Sequence, residues 1–319
     1  MANLPFIAAI DEGIHQEMAR DSNVLYFGQN LATTENHEFV KRYGHDRVRV
    51  TPISETAEIG IGVGAAMAGL RPVIELYMAE FMLVAMDQVV NEAAKFRYMT
   101  GGQVKVPLVL KAGYGFTAGW AGQHTGSLAA LFMGWPGLKC VIPSTAADAK
   151  GLMATAIRDD NPVVFLHHYM LTLEHGEVPD GEHLVPFGKA EIRRAGKDVT
   201  IVATGWMVQR SLAAAEALKA EGIDAEVIDP RSIAPLDLDT ILKSVAKTRH
   251  VVLVDQAPRH ASVSAVIAGD IAEHGFSSLK KPIIQVTGAD TTVPYSEPLE
   301  ALVIPDEARI AAAVRKVLK

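Results

Sequence analysis

Thr51-Pro-Ile-Ser-Glu-Thr-Ala-Glu-Ile-Gly-Ile-Gly-Val-Gly-Ala-Ala-Met-Ala-Gly-Leu-Arg-Pro72 places Glu55 at the mouth of a run almost free of charge. Gly60, Gly62, Gly64, Ala65, Ala66, Ala68 and Gly69 leave a helix with very little side chain, whose backbone can lie close against a neighbouring element or a flat ligand. A carboxylate at such a helix start is favoured by the exposed amides and by the positive end of the dipole. Glu55 therefore reads either as a cap or as a functional acid. The strand pattern Pro72–Tyr77 follows directly, and this alternation of helix and strand sets the fold class.

The chain has 319 residues, 49% of them hydrophobic and 21% charged, with a formal net charge of −7. That length suits two domains with substantial cores, and the negative balance argues against nucleic acid or an anionic membrane as partner. The N-terminus lacks a basic region ahead of an apolar core, and the least polar stretch, Ile59 to Leu70, is too short to cross a bilayer. The single Cys140 lies among apolar neighbours and reads as a buried structural thiol. A reducing, cytoplasmic location is expected.

Periodicity predicts an amphipathic helix over Phe6–Arg20 and a strand at Val24–Phe27. A helix near Glu58–Ala68, a strand at Pro72–Tyr77 and a long helix over Leu83–Met99 come next. Strands follow at Val106–Leu110, Leu138–Ile142 and Val163–Leu166, with a helix over Ala146–Arg158 capped by Ser144 or Thr145. Tyr169 to Val185 turns polar and reads as a connector. Beyond it, strands at Val199–Ala203, Ala225–Ile228, Val251–Val254 and Pro282–Val286 alternate with helices over Val208–Glu221, Leu238–Lys247 and Val263–Gly275. This is an α/β pattern with parallel sheets in two domains.

No phosphate-gripping glycine signature, Cys/His metal cluster or nucleophile elbow is present in the sequence. Adjacent His167 and His168 fall on opposite faces of a strand and do not share a metal. The segment Tyr114-Gly-Phe-Thr-Ala-Gly-Trp-Ala-Gly-Gln-His124 follows a strand, where ligands gather in open parallel sheets. Its glycines give backbone freedom. His124 reads as a solvated loop histidine or as a proton donor and acceptor near neutral pH. Tyr77 and Phe81 read as core or as a ligand platform.

Several segments, in order and at matching spacing, carry a resemblance over nearly the whole chain. They are Thr51-Pro-Ile-Ser-Glu55, Gly64-Ala-Ala-Met-Ala-Gly-Leu-Arg-Pro72, Asp87-Gln-Val-Val-Asn-Glu-Ala-Ala-Lys95, Met99-Thr-Gly-Gly102, Gln123-His124, Pro136-Gly-Leu-Lys139, Asp148-Ala-Lys-Gly-Leu152, Ala156-Ile-Arg-Asp-Asp-Asn-Pro162, Pro186-Phe-Gly-Lys-Ala190 and Val286-Thr-Gly-Ala-Asp-Thr-Thr-Val-Pro-Tyr295. The chain resembles the beta subunit of the thiamine-diphosphate-dependent decarboxylating component of 2-oxo acid dehydrogenases, the group of pyruvate, branched-chain 2-oxo acid and acetoin dehydrogenases.

The resemblance implies a transketolase-like pyrimidine-binding domain over residues 1–180 and a transketolase C-terminal-type domain over 181–319. It implies thiamine diphosphate shared with an alpha subunit that supplies magnesium and the diphosphate grip, in an alpha2-beta2 heterotetramer with a beta-beta contact and a lipoyl-bearing acyltransferase partner. Glu55 matches the glutamate that shares a proton with the aminopyrimidine ring nitrogen, a task that suits a carboxyl group of raised pKa. Ile53, Tyr77 and Phe81 match contact positions at the pyrimidine. His124 matches a histidine that assists acyl transfer to the lipoyl arm. Leu108, Ala156, Ile157, Asp159 and Asn161 match the place of a potassium ion held mostly by backbone oxygens.

Two departures stand out. The acidic Gly-Glu-Asp usual in the family is Gly28-Gln-Asn30 here, with a shorter loop before Phe39, and the segment Val254–Val263 lacks a glycine pair and a second acid. The expected activity is decarboxylation of a 2-oxo acid with reductive acyl transfer to lipoamide. Acetoin cleavage is the alternative, followed by a transketolase-like ligation and by a non-catalytic assembly role.

Overall fold

The computed structural model describes residues 1–29, 38–117, 119–260 and 262–319. They form two compact units, one of Met1–Tyr114 with Phe132–Phe187 and one of Gly115–Leu131 with Gly188–Lys319. The first contains β1 (Ala2–Pro5), α1 (Phe6–Arg20), β2 (Val24–Gly28), α2 (Glu38–Tyr43), β3 (Val48–Val50), α3 (Glu55–Met67), β4 (Arg71–Met78), α4 (Phe96–Met99) and β5 (Val109–Tyr114). The division falls inside α5 (Ala129–Met133), after which come β6 (Lys139–Val141), α6 (Ala146–Arg158), β7 (Val163–His168) and β8 (His175–Val178).

Within this unit the main sheet runs β6-β7-β5-β4-β2-β3, and every neighbouring pair is parallel. Its central strands are apolar on both faces, as a sheet covered on both sides requires. On one face α1 buries Phe6, Ile10, Ile14 and Met18 and crosses α6. The crossing is close because Gly13 has no Cβ, which would stand 2.7 Å from the Lys150 carbonyl. Arg158 of α6 clamps the buried Glu17 of α1 with two bonds of 2.9 and 2.8 Å. On the other face α3 rests on Ile74, where a Cβ at Gly62 would lie 2.4 Å from the Ile74 Cδ1.

The predicted helix at Phe6–Arg20 and the one at Ala146–Arg158 have the expected ends, the latter capped by Thr145. Three expectations shift. The strand predicted at Val106–Leu110 lies at Val109–Tyr114, because Pro107 cannot donate to a ladder and the central pairing begins after it. The helix predicted over Leu83–Met99 breaks into a 3₁₀ segment (Ala79–Ala85), a π segment (Asp87–Ala93) and α4. The polar connector from Tyr169 contains β8, which pairs antiparallel with β1. Neither of these strands shows the apolar alternation that would have announced it.

The second unit holds β9 (Glu191–Arg194), β10 (Val199–Ala203), α7 (Trp206–Lys219), β11 (Ala225–Asp229), β12 (Ser232–Ala234), α8 (Leu238–Thr248), β13 (Val251–Pro258), α9 (Val263–His274), β14 (Ile284–Gly288), α10 (Glu297–Val303) and α11 (Glu307–Leu318). Its sheet runs β14-β13-β10-β11-β9, parallel except for β9. The core gathers Ile201, Val227, Val252 and Val286 from the strands with Val208 and Val314 from the helices. β9, α10 and α11 were absent from the sequence pattern, although Ser296-Glu-Pro298, with a proline in the first turn of α10, is a helix-start signal.

A charged cluster lies under α1. The Tyr26 hydroxyl donates to Glu75 Oε2 at 2.6 Å, and the Lys111 ammonium pairs with the same oxygen. Burial pushes the facing Asp11 up to about 6, against the pull of Lys111 and with the help of Glu75 and Glu12. A carboxyl whose folded pKa lies above its unfolded value binds its proton more tightly when folded. Stability is lost as pH rises from 3.8 to about 6, and the full penalty persists above that range. Asp11→Asn is therefore expected to stabilise the chain above pH ~6.5, by about 1–2 kcal/mol after allowance for partial exposure, and to match the parent below pH ~4. Thermal melting across that pH range checks this; a stability difference independent of pH would refute it.

Candidate active site

The carboxyl ends of β3, β2 and β4 lie side by side in the first unit and deliver Glu55, Gln29 and Tyr77 in turn. After β3 the chain turns at Thr51–Ser54 and enters α3, with Glu55 at its first position. Gln29, just past β2, donates from Nε2 to Glu55 Oε1 at 3.2 Å. The neutral amide thus supplies a donor to the carboxylate without adding charge. The chain itself covers Glu55 only in part, so its carboxylate is less enclosed than the sequence suggested.

Glu58, one turn further on, was not singled out from the sequence. It is 1% exposed, accepts from Thr51 Oγ1 at 2.8 Å and from the Ser54 amide at 3.4 Å, and leaves Oε2 buried with no partner. Burial raises its pKa, and the charge of Glu55 adds to the rise, against the two hydrogen bonds. Its bonds tie down the turn that carries Ile53 and Glu55. The available signal was a glutamate following a Ser cap before an apolar run, which resembles a capping box with one extra residue.

Ile53 is 80% exposed and Tyr77 37% exposed, while Phe81 is partly buried. Tyr77 ends β4, and its carbonyl accepts from the Tyr169 hydroxyl at 2.9 Å. Tyr169 in turn packs where Gly113 has no side chain, since a Cβ there would meet its ring at 2.2 Å. Phe81 lies in the 3₁₀ segment, which is linked to α3 by Thr56 Oγ1 donating to the Val84 carbonyl at 3.0 Å. The neighbouring surface is apolar and open: Ile61, Leu83, Val84, Tyr98 and Met99 are all exposed, and the outer small residues Ala57, Gly64 and Ala68 of α3 and its C-cap face nothing in this unit. A partly covered acid flanked by exposed apolar groups has the shape of half a binding site.

His124 belongs to the second unit, so the glycine-rich loop leaves the sheet that precedes it. The His124 amide and the Thr125 hydroxyl both donate to the Ala121 carbonyl, at 3.2 and 2.5 Å, around Ala121 at φ 62°. Phe116 joins the core of this unit, and a Cβ at Gly122 would stand 2.2 Å from Thr292 Cγ2. Here Gly122 serves close packing, while Gly115 and Gly119 take positive φ of 87° and 108° that favours glycine.

The residues expected around a potassium ion gather at the carboxyl end of α6. Arg71 donates to the carbonyls of Ile157 and Asp159 at 3.0 and 3.1 Å, Val163 N–H to that of Leu108 at 2.8 Å, and Asp159 N–H to that of Ala156 at 3.2 Å. The Asp159 carboxylate takes Lys139 and the Asn161 amide, and Asn161 Oδ1 takes Arg97. Among the described residues no group of three or more His, Cys, Asp or Glu side chains could hold a metal ion. Cys140 is buried and burial raises its thiol pKa. No helix of the described residues is long and apolar enough to cross a membrane.

Residues 3–172 match the family model for the transketolase pyrimidine binding domain and residues 188–310 that for the transketolase C-terminal domain. The beta subunit of acetoin:2,6-dichlorophenolindophenol oxidoreductase from Cupriavidus necator is 45% identical, over 98% of this chain and 96% of that one. The pyruvate dehydrogenase E1 component subunit beta of Rhizobium meliloti is 40% identical, over 99% of this chain and 70% of that one. The chain belongs to the family of thiamine-diphosphate-dependent 2-oxo acid and acetoin dehydrogenase beta subunits. The 2-oxoisovalerate dehydrogenase subunit beta of Bacillus subtilis, also of this family, is 37% identical over 99% of both chains. A solved structure, "Split gene transketolase, inactive beta4 tetramer", shares the fold with a TM-score of 0.83 at 23% identity over 99% of both chains.

The loop 30–37, expected to be shorter than the family pattern, lies outside the described residues, as do Ala118 and, in the other departing segment, Ala261. Glu58→Ala removes the acceptor that holds the Thr51–Ser54 turn and is expected to cost about 1–2 kcal/mol, whereas Glu58→Gln keeps an acceptor and costs less than about half of that. Melting of the two variants tests this. Equal losses would show that the turn does not depend on Glu58 Oε1.

Proposed function

We propose that this chain supplies the pyrimidine half of a thiamine diphosphate site in a 2-oxo acid or acetoin dehydrogenase, active only with an alpha subunit. The observation that carries the reading is Glu55 at the opening of α3, partly covered, bonded to Gln29 and flanked by exposed Ile53 and half-buried Phe81. These residues fit an aminopyrimidine: a carboxyl for the ring nitrogen and apolar side chains for the ring faces. In this reading magnesium and the grip on the diphosphate belong to the alpha subunit. Bound thiamine diphosphate supplies the electron sink for breaking a carbon–carbon bond beside a carbonyl.

Glu55 holds a proton against the ring nitrogen, and Gln29 Nε2 orients its carboxyl while adding no charge. Glu58 fixes the turn that aims it. His124 moves a proton during acyl transfer to a lipoyl group carried by an acyltransferase partner. The exposed apolar residues around α3 and α4 are the surface for the alpha subunit and for a second beta chain, in an alpha2-beta2 assembly. The relative named for acetoin and dichlorophenolindophenol has a higher identity than the other two relatives reported above, which supports acetoin beside pyruvate as a substrate to be tried. The buried, unreactive Cys140 suits a reducing cytoplasm.

With the alpha subunit, the wild-type pair is expected to reduce dichlorophenolindophenol with a 2-oxo acid or with acetoin, and Glu55→Gln to lower kcat by about a hundredfold or more. A panel of 2-oxo acids and acetoin identifies the substrate. Unchanged turnover in Glu55→Gln would end the catalytic reading; absence of turnover with every substrate, in a pair that assembles, would favour the assembly role.

A potassium ion at the end of α6 would share the carbonyls of Ile157 and Asp159 with the Arg71 guanidinium, through their second lone pairs and at the negative end of the helix dipole. Potassium chloride is expected to raise the melting temperature above that in choline chloride at equal ionic strength, and Asn161→Ala to remove the difference. Equal melting in both salts would count against the ion.

A further inference from the structure

The loop that carries His124 is fastened at a point that none of the functions above uses. Glu300, in the middle of α10, is 2% exposed, and its carboxylate reaches back across the second unit to that loop. Oε1 accepts the Thr117 amide at 3.2 Å and Oε2 accepts the Gly119 amide at 2.7 Å. Gly119 has φ 108°, a conformation that side chains resist, so its amide points at the carboxylate in a way few other residues would allow. The loop is held besides by Phe116 in the core, by the Gly115 amide donating to the Gly126 carbonyl at 3.1 Å and by Gly122 against Thr292, all in the same unit. Two backbone donors on one buried carboxylate make a charge-assisted clamp of high directional specificity.

We propose that Glu300 is a positioning residue for acyl transfer: its carboxylate clamps the Thr117–Gly119 backbone and thereby sets the place of His124. The proposal rests on the role given to His124 above. Phe116 and Gly122 fasten the loop by packing, and the Glu300 clamp adds a fixed backbone direction between them, five residues before His124. Cleavage of the substrate depends on Glu55, which lies in the other unit, whereas transfer to a lipoyl group depends on His124. Loss of the clamp therefore weighs more on transfer than on cleavage.

The experiment compares Glu300→Gln and Glu300→Ala with the parent in two ways. In the full-length chain, hydrogen exchange of the amides from Gly115 to His124 is expected to quicken about tenfold or more, while amides of α11 keep their rates. In the complex with the alpha subunit, the rate of reductive acylation of oxidised lipoamide divided by the rate of dichlorophenolindophenol reduction is expected to fall about tenfold, through kcat rather than the KM for the substrate. Unchanged exchange in the loop overturns the clamp. Equal losses of both activities, with a lowered melting temperature, overturn the positioning role and leave Glu300 a support of the fold. Glu300→Gln keeps the shape of the side chain, so it remains readable if Glu300→Ala does not fold. His124→Ala serves as the control: if it does not lower the acylation ratio, the fault lies with the role of His124, and the exchange arm still judges the clamp.

Discussion

Everything at the site of the first unit depends on how closely α3 approaches the sheet. Gly62 is the point of contact, with Ile74 Cδ1 where its own Cβ would stand. A larger residue would lift the helix, and the acid at its start would move with it, since Glu55 and Gly62 are two turns apart on one rigid rod. The small residues of this segment thus do two separate things. Gly62 and Ala66 face inward and permit contact, while Gly64 and Ala68 face outward and leave a flat apolar strip open.

The division of labour proposed for the two units suits that geometry. The first offers an acid on a fixed helix, supported by the ends of adjacent parallel strands, and the second offers a histidine on a loop folded against its own core. An acid that holds one proton through a reaction gains from a rigid mount. A histidine that meets an incoming group gains from a loop that can be shaped, provided that something fixes its position. Hydrogen bonds from backbone to buried carboxylates serve both: Ser54 to Glu58 in one unit, and Thr117 and Gly119 to Glu300 in the other.

The parts of the fold visible in the sequence were those governed by periodicity. The helix of Ile7, Ile10, Ile14 and Met18 and the apolar strands around Val73, Val164 and Val252 announce themselves, because burial on one or both faces writes a regular pattern. What stayed hidden depends on contacts distant in sequence. β8 exists because β1 pairs with it, not because His175-Gly-Glu-Val favours a strand, and the break from 3₁₀ to π after Ala85 has no counterpart in composition. The same holds at the site. Glu55 was marked as a candidate by its motif, but Glu58 and Glu300 gain meaning only from what they hold, and the passage of the 115–131 loop into the second unit leaves no local mark.

Beneath α1, Glu75 and Lys111 stand side by side in adjacent strands, share a charge-paired bond and are almost wholly cut off from water. A lone ion in that place would be far costlier than the pair, or than two apolar side chains of like volume. The history of such positions is consequently joint: a change at one leaves the other stranded until it too is replaced, so relatives that diverge here should do so by paired exchanges and seldom by single steps.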